Sequence, residues 1–323
     1  MGVFLVTGGA GFIGSNLVLA LAHAGERVRV LDNLATGFWE NLAAVRDREG
    51  IEFVTGDIRD AEVMARACAG VEVVFHEAGL GSVPRSIEDP VESDAVNCGG
   101  TVRVLDAARH AGVRRVIFAA SSSAYGDTPA LPKQEDMSTR PLSPYAVSKL
   151  GAEYYLRVFA SVYGMDTLSL RYFNVFGPRQ RPDGPYAAAI PRFMWAALTG
   201  QPVTIYGDGE TTRDFCYVEN AVHANLSAAT AAHAFRGEVA NVATGRRVSL
   251  NALVAEIGRV VDREIVVEHT DPRPGDVRHS LADVSRAREL FGYEPRVSWE
   301  DGLPATEQYL RQLADDRGAL CEA

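Results

Sequence analysis

Short apolar runs of strand length alternate with helical segments along the first half of the chain. The predicted strands occupy residues 3–6, 27–31, 51–54, 71–76 and 115–120. The predicted helices occupy residues 11–24, 61–69, 97–111 and 144–163. Gly25, Gly112 and Gly164 follow three of these helices, where a glycine commonly ends a helix. Strands that alternate with helices are typical of an α/β fold with a parallel, doubly wound sheet.

The first predicted strand leads into a glycine-rich turn that begins the first helix. Gly9, Gly11 and Gly14 satisfy G-x-G-x-x-G, and Gly8, Gly11 and Gly14 satisfy G-x-x-G-x-x-G. Such glycines let the backbone approach a pyrophosphate, which then lies at the helix N-terminus. The second strand ends in Asp32, 18 residues after Gly14, where a carboxylate accepts hydrogen bonds from a ribose 2′-hydroxyl. A flexible loop would explain none of this context, so the sequence predicts a Rossmann-type fold that binds NAD rather than NADP.

Composition narrows the remaining function classes. The 323 residues suffice for two domains, and 47% hydrophobic content allows a sizeable core. The net charge of −10 argues against nucleic acid or an anionic membrane as partner. No apolar run approaches the about 18 residues of a membrane helix, and no leader precedes the first strand. The four cysteines form no C-x-x-C pair and the histidines show no metal-ligand spacing, so we expect a cytoplasmic protein without a metal.

A second group of motifs surrounds residue 145. Ser143 and Pro144 are typical of a helix start, and Tyr145 and Lys149 lie four residues apart on one helix face. A phenol with a pKa near ~10 is a poor base at neutral pH, and an adjacent ammonium favours the phenolate. The same spacing also fits a surface Tyr beside a solvated Lys. Because the pair follows a dinucleotide fold and a serine cluster at 121–123, we predict that it is catalytic.

Two polar residues at strand ends carry open interpretations. Asp57 follows the third strand, at the edge where an open α/β sheet binds ligands. It either contacts an adenine or caps the helix predicted at 61–69, and the sequence favours neither. His76 ends the fourth strand and is interpreted as structural.

At this point a family resemblance is apparent. The glycine loop, the serine cluster and the segment from Tyr145 to Lys149 resemble an extended short-chain dehydrogenase/reductase. Within that group the chain resembles the UDP-hexose 4-epimerases, in residues 171–179, 207–215 and 272–276. The similarity covers about residues 3 to 310, essentially the whole chain. It implies NAD as cofactor, a UDP-sugar as substrate and inversion at the sugar C4 through a 4-keto intermediate.

The resemblance also implies which residues hold the two ligands. The cofactor-binding residues would be Gly8, Gly11, Phe12, Ile13, Gly14, Asp32, Asn33, Asp57, Ile58, Ala78, Asn97, Tyr145, Lys149 and Phe173. The substrate-binding residues would be Ser82, Ser121, Ser122, Tyr145, Asn174, Val203, Tyr206, Arg213, Arg273, Asp276 and Ser280.

Several of these residues have implied roles. Asn174, Arg213 and Arg273 would contact the UDP diphosphate, to which Arg forks pair well. The strand around Val203 and Tyr206 resembles a uracil site but also fits an ordinary edge strand.

The catalytic roles follow from the same resemblance. Tyr145 would be the base, Lys149 would tune it, and Ser121 would relay the proton, with Ser122 as the alternative. Ser280, seven residues after Arg273, would leave room beside the sugar 2-substituent for an acetamido group.

The second half of the chain departs from regular alternation. We expect a Rossmann domain at 1–177 with about 215–243, and a smaller C-terminal substrate-binding lobe at 178–214 and 244–323. By resemblance, the helices near 97–111 and 144–163 pair with their copies in a homodimer built on a four-helix bundle.

Three related enzyme activities and one non-enzymatic function are alternatives to a UDP-hexose 4-epimerase. Sugar 4,6-dehydratases carry an Asp-Glu pair after the catalytic Ser or Thr, and UDP-glucuronate decarboxylases carry a Glu there. Ser122 and Ser123 occupy these positions, which argues against both activities. UDP-glucuronate 4-epimerase stays open. A non-catalytic NAD-binding sensor would typically lose the Tyr/Lys pair, which this chain keeps.

Overall fold

A computed structural model describes residues 2–183, 187–271 and 277–319. Its strands are β1 (Val3–Thr7), β2 (Arg27–Asp32), β3 (Ile51–Thr55), β4 (Val71–His76), β5 (Arg115–Ser121), β6 (Asp166–Tyr172), β7 (Val175–Phe176), β8 (Val203–Tyr206), β9 (Thr212–Asp214), β10 (Cys216–Tyr217), β11 (Arg236–Val242), β12 (Arg247–Ser249) and β13 (Val267–Thr270). Its α-helices are α1 (Phe12–His23), α2 (Ala61–Cys68), α3 (Val83–Glu88), α4 (Pro90–Asp94), α5 (Thr101–His110), α6 (Pro144–Tyr163), α7 (Ala189–Leu198), α8 (Val218–Thr230), α9 (Leu250–Val261), α10 (Ser285–Phe291) and α11 (Trp299–Asp316).

Seven strands form one parallel sheet in the order β11-β6-β5-β4-β1-β2-β3. This confirms the predicted α/β class, and the five predicted strands each agree with the structure to within one residue. From β1 the chain proceeds to β2 and β3 on one side and to β4, β5 and β6 on the other. Strand order therefore reverses beside β1, and open α/β sheets bind ligands at such a point.

The ends of the helices show how the local sequence sets the site. The Ser143 Oγ accepts a hydrogen bond from the Ala146 N–H at 3.2 Å, with Pro144 in the first turn, so Tyr145 lies at the very start of α6. Gly164 ends α6 in a left-handed conformation, with φ +70°, which glycine adopts without strain. The predicted limits of this helix are confirmed.

One open alternative is resolved by the structure, and one predicted helix limit needs correction. Asp60, and not Asp57, caps α2, because its carboxylate accepts from the Glu62 and Val63 N–H groups. The helix predicted to begin at residue 97 begins earlier, since α4 continues through a π-helical turn at Ala95–Gly100 into α5. Of these three consecutive segments, only α5 has the regular apolar spacing by which a sequence indicates a helix.

The smaller strands and the last helices form a second layer of structure beside the carboxyl edge of the sheet. Strand β8 pairs with β13 in parallel, and β9 pairs with β12 in antiparallel orientation. Helices α7, α9 and α11 contribute to one apolar cluster that includes Phe193, Ile257 and Leu303. Helix α10, which the sequence assigned to the lobe, instead packs on α8 and β11, with Ala287 in the core of the main sheet. None of the helices in the described ranges is long and apolar enough to cross a membrane.

Candidate active site

A cavity of about 880 Å³ lies across the carboxyl edge of the sheet, at the point where strand order reverses. This main cleft brings together the glycine turn, the end of β2, the serine cluster and the start of α6. A smaller cavity of about 240 Å³ adjoins it on the side of β8 and α7. Asn174 and Arg213 line both cavities, so the two spaces form one continuous candidate site.

The glycine turn is shaped for close approach of a ligand to the backbone. Gly8 has φ +66°, and a Cβ there would lie 2.7 Å from the Cα of Ala78. A Cβ on Gly14 would lie 2.2 Å from the Gly8 carbonyl oxygen, so neither position admits a side chain. Gly11 precedes α1 without a side-chain cap, which leaves the first N–H groups of that helix for another acceptor. This cradle fits the diphosphate of a dinucleotide.

Asp32 is held at the end of β2 by two backbone groups. Its Oδ2 accepts from the Ala10 N–H at 2.9 Å and its Oδ1 from the Leu34 N–H at 2.8 Å. Burial raises the pKa of Asp32, and these bonds act in the opposite direction. The backbone of Asn33 and Gly11 also acts on this carboxylate, and an ionised carboxylate at the end of β2 is a suitable acceptor for a ribose hydroxyl. The carboxylate would repel a 2′-phosphate, so the site fits NAD.

Asp57 lies beside Asn33 on the same wall of the main cleft. The Asn33 Nδ2 donates to the Asp57 Oδ2 at 3.1 Å, and Arg59 pairs with the same carboxylate at 2.8 Å. The bond from Arg59 lowers the pKa of Asp57 to about 2, so this group stays ionised. Asp57 does not cap α2 but accepts from the Arg59 N–H at 2.9 Å, and its contact with an adenine stays a prediction.

Tyr145 and Lys149 point into the main cleft from the first turns of α6. Burial raises the pKa of Tyr145, and its hydrogen bond with Ser121 partly offsets this. The Lys149 Nζ donates to the Ala119 carbonyl at 2.8 Å and lies 4.7 Å from the centroid of the Phe118 ring. Burial lowers the pKa of Lys149 to about 8. That Lys149 favours the phenolate of Tyr145 stays a prediction.

The serine cluster places Ser121 closest to the chemistry. The Ser121 Oγ accepts from the Ser123 N–H at 3.2 Å and from the Ser123 hydroxyl at 2.9 Å, and it also bonds Tyr145. Ser122 lines the main cleft, but no hydrogen bond between it and Tyr145 occurs within the described residues. Of the two alternatives, the geometry therefore favours Ser121.

The sequence matches a known family over most of its length. The sequence profile described as "NAD dependent epimerase/dehydratase family" matches residues 4–243. A UDP-glucose 4-epimerase of Mycolicibacterium smegmatis is 41% identical over 309 residues, covering 95% of this chain and 98% of the relative. The chain belongs to the NAD-dependent epimerase/dehydratase family. It is an isomerase of the extended short-chain dehydrogenase/reductase type, and this decides against a non-catalytic sensor.

Solved structures agree with this assignment. The UDP-N-acetylglucosamine 4-epimerase from Methanobrevibacter ruminantium M1, in complex with UDP-N-acetylmuramic acid, superposes with a TM-score of 0.92 at 38% identity, covering 97% of this chain and 99% of the other. The UDP-glucose 4-epimerase of Thermus thermophilus, in complex with NAD, gives a TM-score of 0.86 at 36% identity, covering 96% and 99%. The relatives also include UDP-glucuronate 4-epimerases at 31% identity. The protein is thus an NAD-dependent UDP-sugar 4-epimerase whose sugar the comparisons leave open.

The epimerase carries most of the predicted cofactor residues on the walls of the main cleft. These are Gly8, Gly11, Phe12, Ile13, Gly14, Asp32, Asn33, Asp57, Ile58, Ala78, Tyr145, Lys149 and Phe173. Asn97 lies behind this wall, where its Oδ1 accepts from the Leu80 N–H at 2.7 Å and its Nδ2 donates to Ser148. Asn97 thereby holds the loop that follows β4 against α6.

Besides Ser121, Ser122 and Tyr145, which line the main cleft, the predicted substrate residues divide into four groups. Asn174, Ser280, Tyr206 and Arg213 line the two cavities. The Val203 side chain is instead buried in the core of the lobe. The Ser82 Oγ accepts from the Arg85 N–H at 3.2 Å as the cap of α3, and its neighbours line the main cleft. Arg273 and Asp276 lie outside the described residues.

The epimerase also has two polar residues at the site that the sequence did not indicate. Glu77 lines the main cleft directly after β4. The buried carboxylate of Asp214 accepts from the Thr244 and Gly245 N–H groups at 3.0 Å and from the Ala282 N–H at 3.2 Å. Asp214 therefore ties the segment after β11 to the segment that carries Ser280. A signal was present for Asp214, because it lies beside Arg213 in a recognised motif.

Proposed function

We propose that this epimerase interconverts UDP-N-acetylglucosamine and UDP-N-acetylgalactosamine, and also acts on UDP-glucose and UDP-galactose. The observation that carries the proposal is the small side chain of Ser280 on the wall of the main cleft. Its Oγ receives a hydrogen bond from the Asn174 amide at 3.2 Å and a weaker one from the Asp214 N–H at 3.4 Å. A bulky residue here would fill the space that an acetamido group needs.

Tyr145 is proposed as the base that removes the proton of the sugar 4-hydroxyl. NAD, when bound, supplies the hydride acceptor and donor that allow C4 to be oxidised and then reduced on its opposite face. Because burial raises the pKa of Tyr145, the phenolate requires positive charge in the main cleft. Lys149 supplies one such charge, and the oxidised nicotinamide ring carries another.

Ser121 is proposed to bond the sugar O4 and to relay the proton. Its hydroxyl already bonds Tyr145, and Ser123 donates to it from two atoms, so its own proton is directed away from Ser123. Lys149 is proposed to bond the nicotinamide ribose as well as to tune Tyr145. Ser122 stays the alternative for the proton relay.

The nucleotide half of the substrate is proposed to occupy the smaller cavity. Asn174 and Arg213 lie where the two cavities meet, which suits a diphosphate between the uridine and the sugar. Tyr206 offers its ring to uracil in the smaller cavity. Arg273 and Asp276 are proposed to complete the nucleotide site.

A homodimer is proposed on the exposed side of α6. Val147, Tyr154, Val158 and Val162 lie on one face of this helix and are all about half exposed. Val91, at the start of α4, is also strongly exposed. Contiguous apolar surface of this kind favours a protein partner, and a second copy would place α6 and its neighbouring helix in a four-helix bundle.

The experiment that tests the substrate proposal is incubation of the pure protein with single UDP-sugars, followed by chromatographic separation of the 4-epimers. We expect interconversion of both N-acetylated and plain UDP-hexoses. Turnover of UDP-glucuronate alone would establish the alternative. Turnover of the plain hexoses alone would contradict the role given to Ser280.

A further inference from the structure

Glu77 is a partly buried carboxylate in the main cleft to which the proposed mechanism gives no role. Tyr172 donates its hydroxyl proton to the Glu77 Oε1 at 2.8 Å, and the Asn225 Nδ2 donates to the Tyr172 oxygen at 2.6 Å. The Asn225 Nδ2 also donates to the Ala221 carbonyl at 2.9 Å. That carbonyl can only accept, so the orientation of the Asn225 amide is fixed and both of its protons are used. The Tyr172 proton must therefore be directed to Glu77.

Asn225 donates to Tyr172 and Tyr172 donates to Glu77, so the group at the position of Glu77 must be a hydrogen-bond acceptor. A carboxylate is an acceptor with negative charge, and hydrogen bonds to the ionised form favour that form. Burial nevertheless raises the pKa of Glu77 to about 7, with the Tyr172 bond, the charge of Lys149 and a direct hydrogen bond from Asn225 acting against it. A glutamine would accept the same bond from Tyr172 without the cost of burying a charge. A charge kept at such a cost is typical of a functional site rather than of packing.

The backbone register places Glu77 next to the anchor of Lys149. His76 lies opposite Phe118 in the pairing of β4 with β5, so Glu77 and Ala119 are the next neighbours at the strand ends. The Lys149 Nζ donates to the carbonyl of Ala119. The loop after Glu77 approaches from the other side, since a Cβ on Gly79 would lie 3.1 Å from the Lys149 Nζ.

The other charged and titratable groups around Lys149 do not replace Glu77. Glu153, on α6, is held by Arg171 in a buried ion pair at 2.8 Å, which largely cancels its charge. His76 is buried, and burial holds its pKa at about 3, so it is neutral. Tyr145 is itself the group to be tuned. Within the described residues Glu77 makes no ion pair of the kind that Glu153 makes.

We propose that Glu77 is a positioning residue whose carboxylate, directed by Tyr172 and Asn225, keeps Lys149 protonated at the nicotinamide end of the main cleft. Through Lys149 it stabilises the phenolate of Tyr145 and the contact with the cofactor ribose. The inference rests on the role proposed for Lys149. Glu77 itself need not touch the substrate.

The test compares the pH dependence of kcat and of cofactor retention for Glu77→Gln and for wild type. Removing an adjacent opposite charge lowers the pKa of an ammonium by about one unit or more. We expect the alkaline limb of the kcat profile to move down by about one pH unit, and NAD retained after dialysis to fall at correspondingly lower pH. Glu72→Gln removes an exposed carboxylate from β4, the strand that Glu77 follows, and its profile should superpose on that of wild type.

Two further variants keep the inference falsifiable. Tyr172→Phe removes the donor to Glu77. It should move the alkaline limb of the kcat profile to lower pH, and it provides a test even if Glu77→Gln does not fold. In a Lys149→Met background, Glu77→Gln should leave NAD retention unchanged, because the group that it acts on is gone. An unmoved or absent alkaline limb in folded Glu77→Gln, or a retention shift that persists without Lys149, would overturn the inference. Normal turnover and retention in Lys149→Met would instead refute the role of Lys149.

Discussion

The Nδ2 of Asn174 donates a hydrogen bond to the Oγ of Ser280 over 3.2 Å, although 106 residues separate the two in the sequence. Asn174 follows β6 of the main sheet, with φ +34°, and it also donates to the Asp214 carbonyl at 3.0 Å. Ser280 lies on the segment that Asp214 holds. One residue proposed for the diphosphate and the residue proposed to select the sugar are therefore oriented by the same contact.

Ser280→Tyr should abolish turnover of the N-acetylated UDP-sugars and retain turnover of UDP-glucose. The phenol would occupy the space proposed for the acetamido group, and a plain hydroxyl at C2 needs less room. The measurement is kcat/KM for both classes of substrate. Ser280→Ala is the control that removes the hydrogen bond from Asn174 without adding a bulky side chain. It should lower kcat/KM for the N-acetylated and the plain UDP-sugars equally and by a small factor. If the Tyr variant keeps the wild-type preference, Ser280 does not select the sugar.

Tyr145→Phe should lower kcat by about 10²- to 10⁴-fold, the usual contribution of a positioned base. The hydroxyl that is lost bonds Ser121 in the main cleft, so the fold and NAD content should be preserved. Tyr154→Phe, on the exposed face of the same helix, is the matched control and should be fully active. A near-normal kcat for Tyr145→Phe would remove Tyr145 from the mechanism.

Features of the fold that depend on a few adjacent residues could be predicted from the sequence. The glycine turn, Asp32 and the start of α6 at Ser143 each depend on a few adjacent residues, and each lies where the pattern predicted. Asp57 shows the limit of such reasoning. Two aspartates three residues apart could both cap a helix, and only the backbone path gives the role to Asp60.

The candidate site was harder to predict where partners are remote. Val203 and Tyr206 are three residues apart on β8, so alternation places them on opposite faces, and Val203 is the buried one. The spacing of the two residues in the sequence was therefore enough to show that only one of them could face the cavity. For Glu77 the sequence held no such signal, because Tyr172 and Asn225 come from β6 and α8, and no spacing along the chain relates them.

Val158→Asp should convert the protein to a monomer, provided that α6 pairs with its copy. The side chain is about half exposed on the apolar face of this helix, and a charge there would be buried at the interface. Sedimentation at micromolar concentration should give a dimer for wild type and a monomer for the variant. Val266→Asp, at an exposed valine near β13, should remain dimeric. A wild-type monomer would contradict the proposed assembly.

Glu77→Gln should stabilise the folded protein, and the gain should grow with pH. Burial raises the pKa of Glu77 from 4.5 to about 7, so the folded state binds this proton more tightly than the unfolded state. Below about pH 4.5 both states are protonated and the charge costs nothing. As pH rises to 7 the unfolded state releases the proton first, and wild type loses stability relative to Glu77→Gln.

The expected difference is about 1 to 3 kcal/mol at pH 8 and close to zero at pH 4.5. Thermal midpoints of wild type and Glu77→Gln, measured from pH 4.5 to 8, should therefore diverge as pH rises. Glu72→Gln, whose carboxylate is exposed beside Arg114, should show no such divergence. Parallel curves for Glu77→Gln and wild type would mean that Glu77 titrates alike in both states. The carboxylate would then not carry the buried charge on which its proposed action on Lys149 depends.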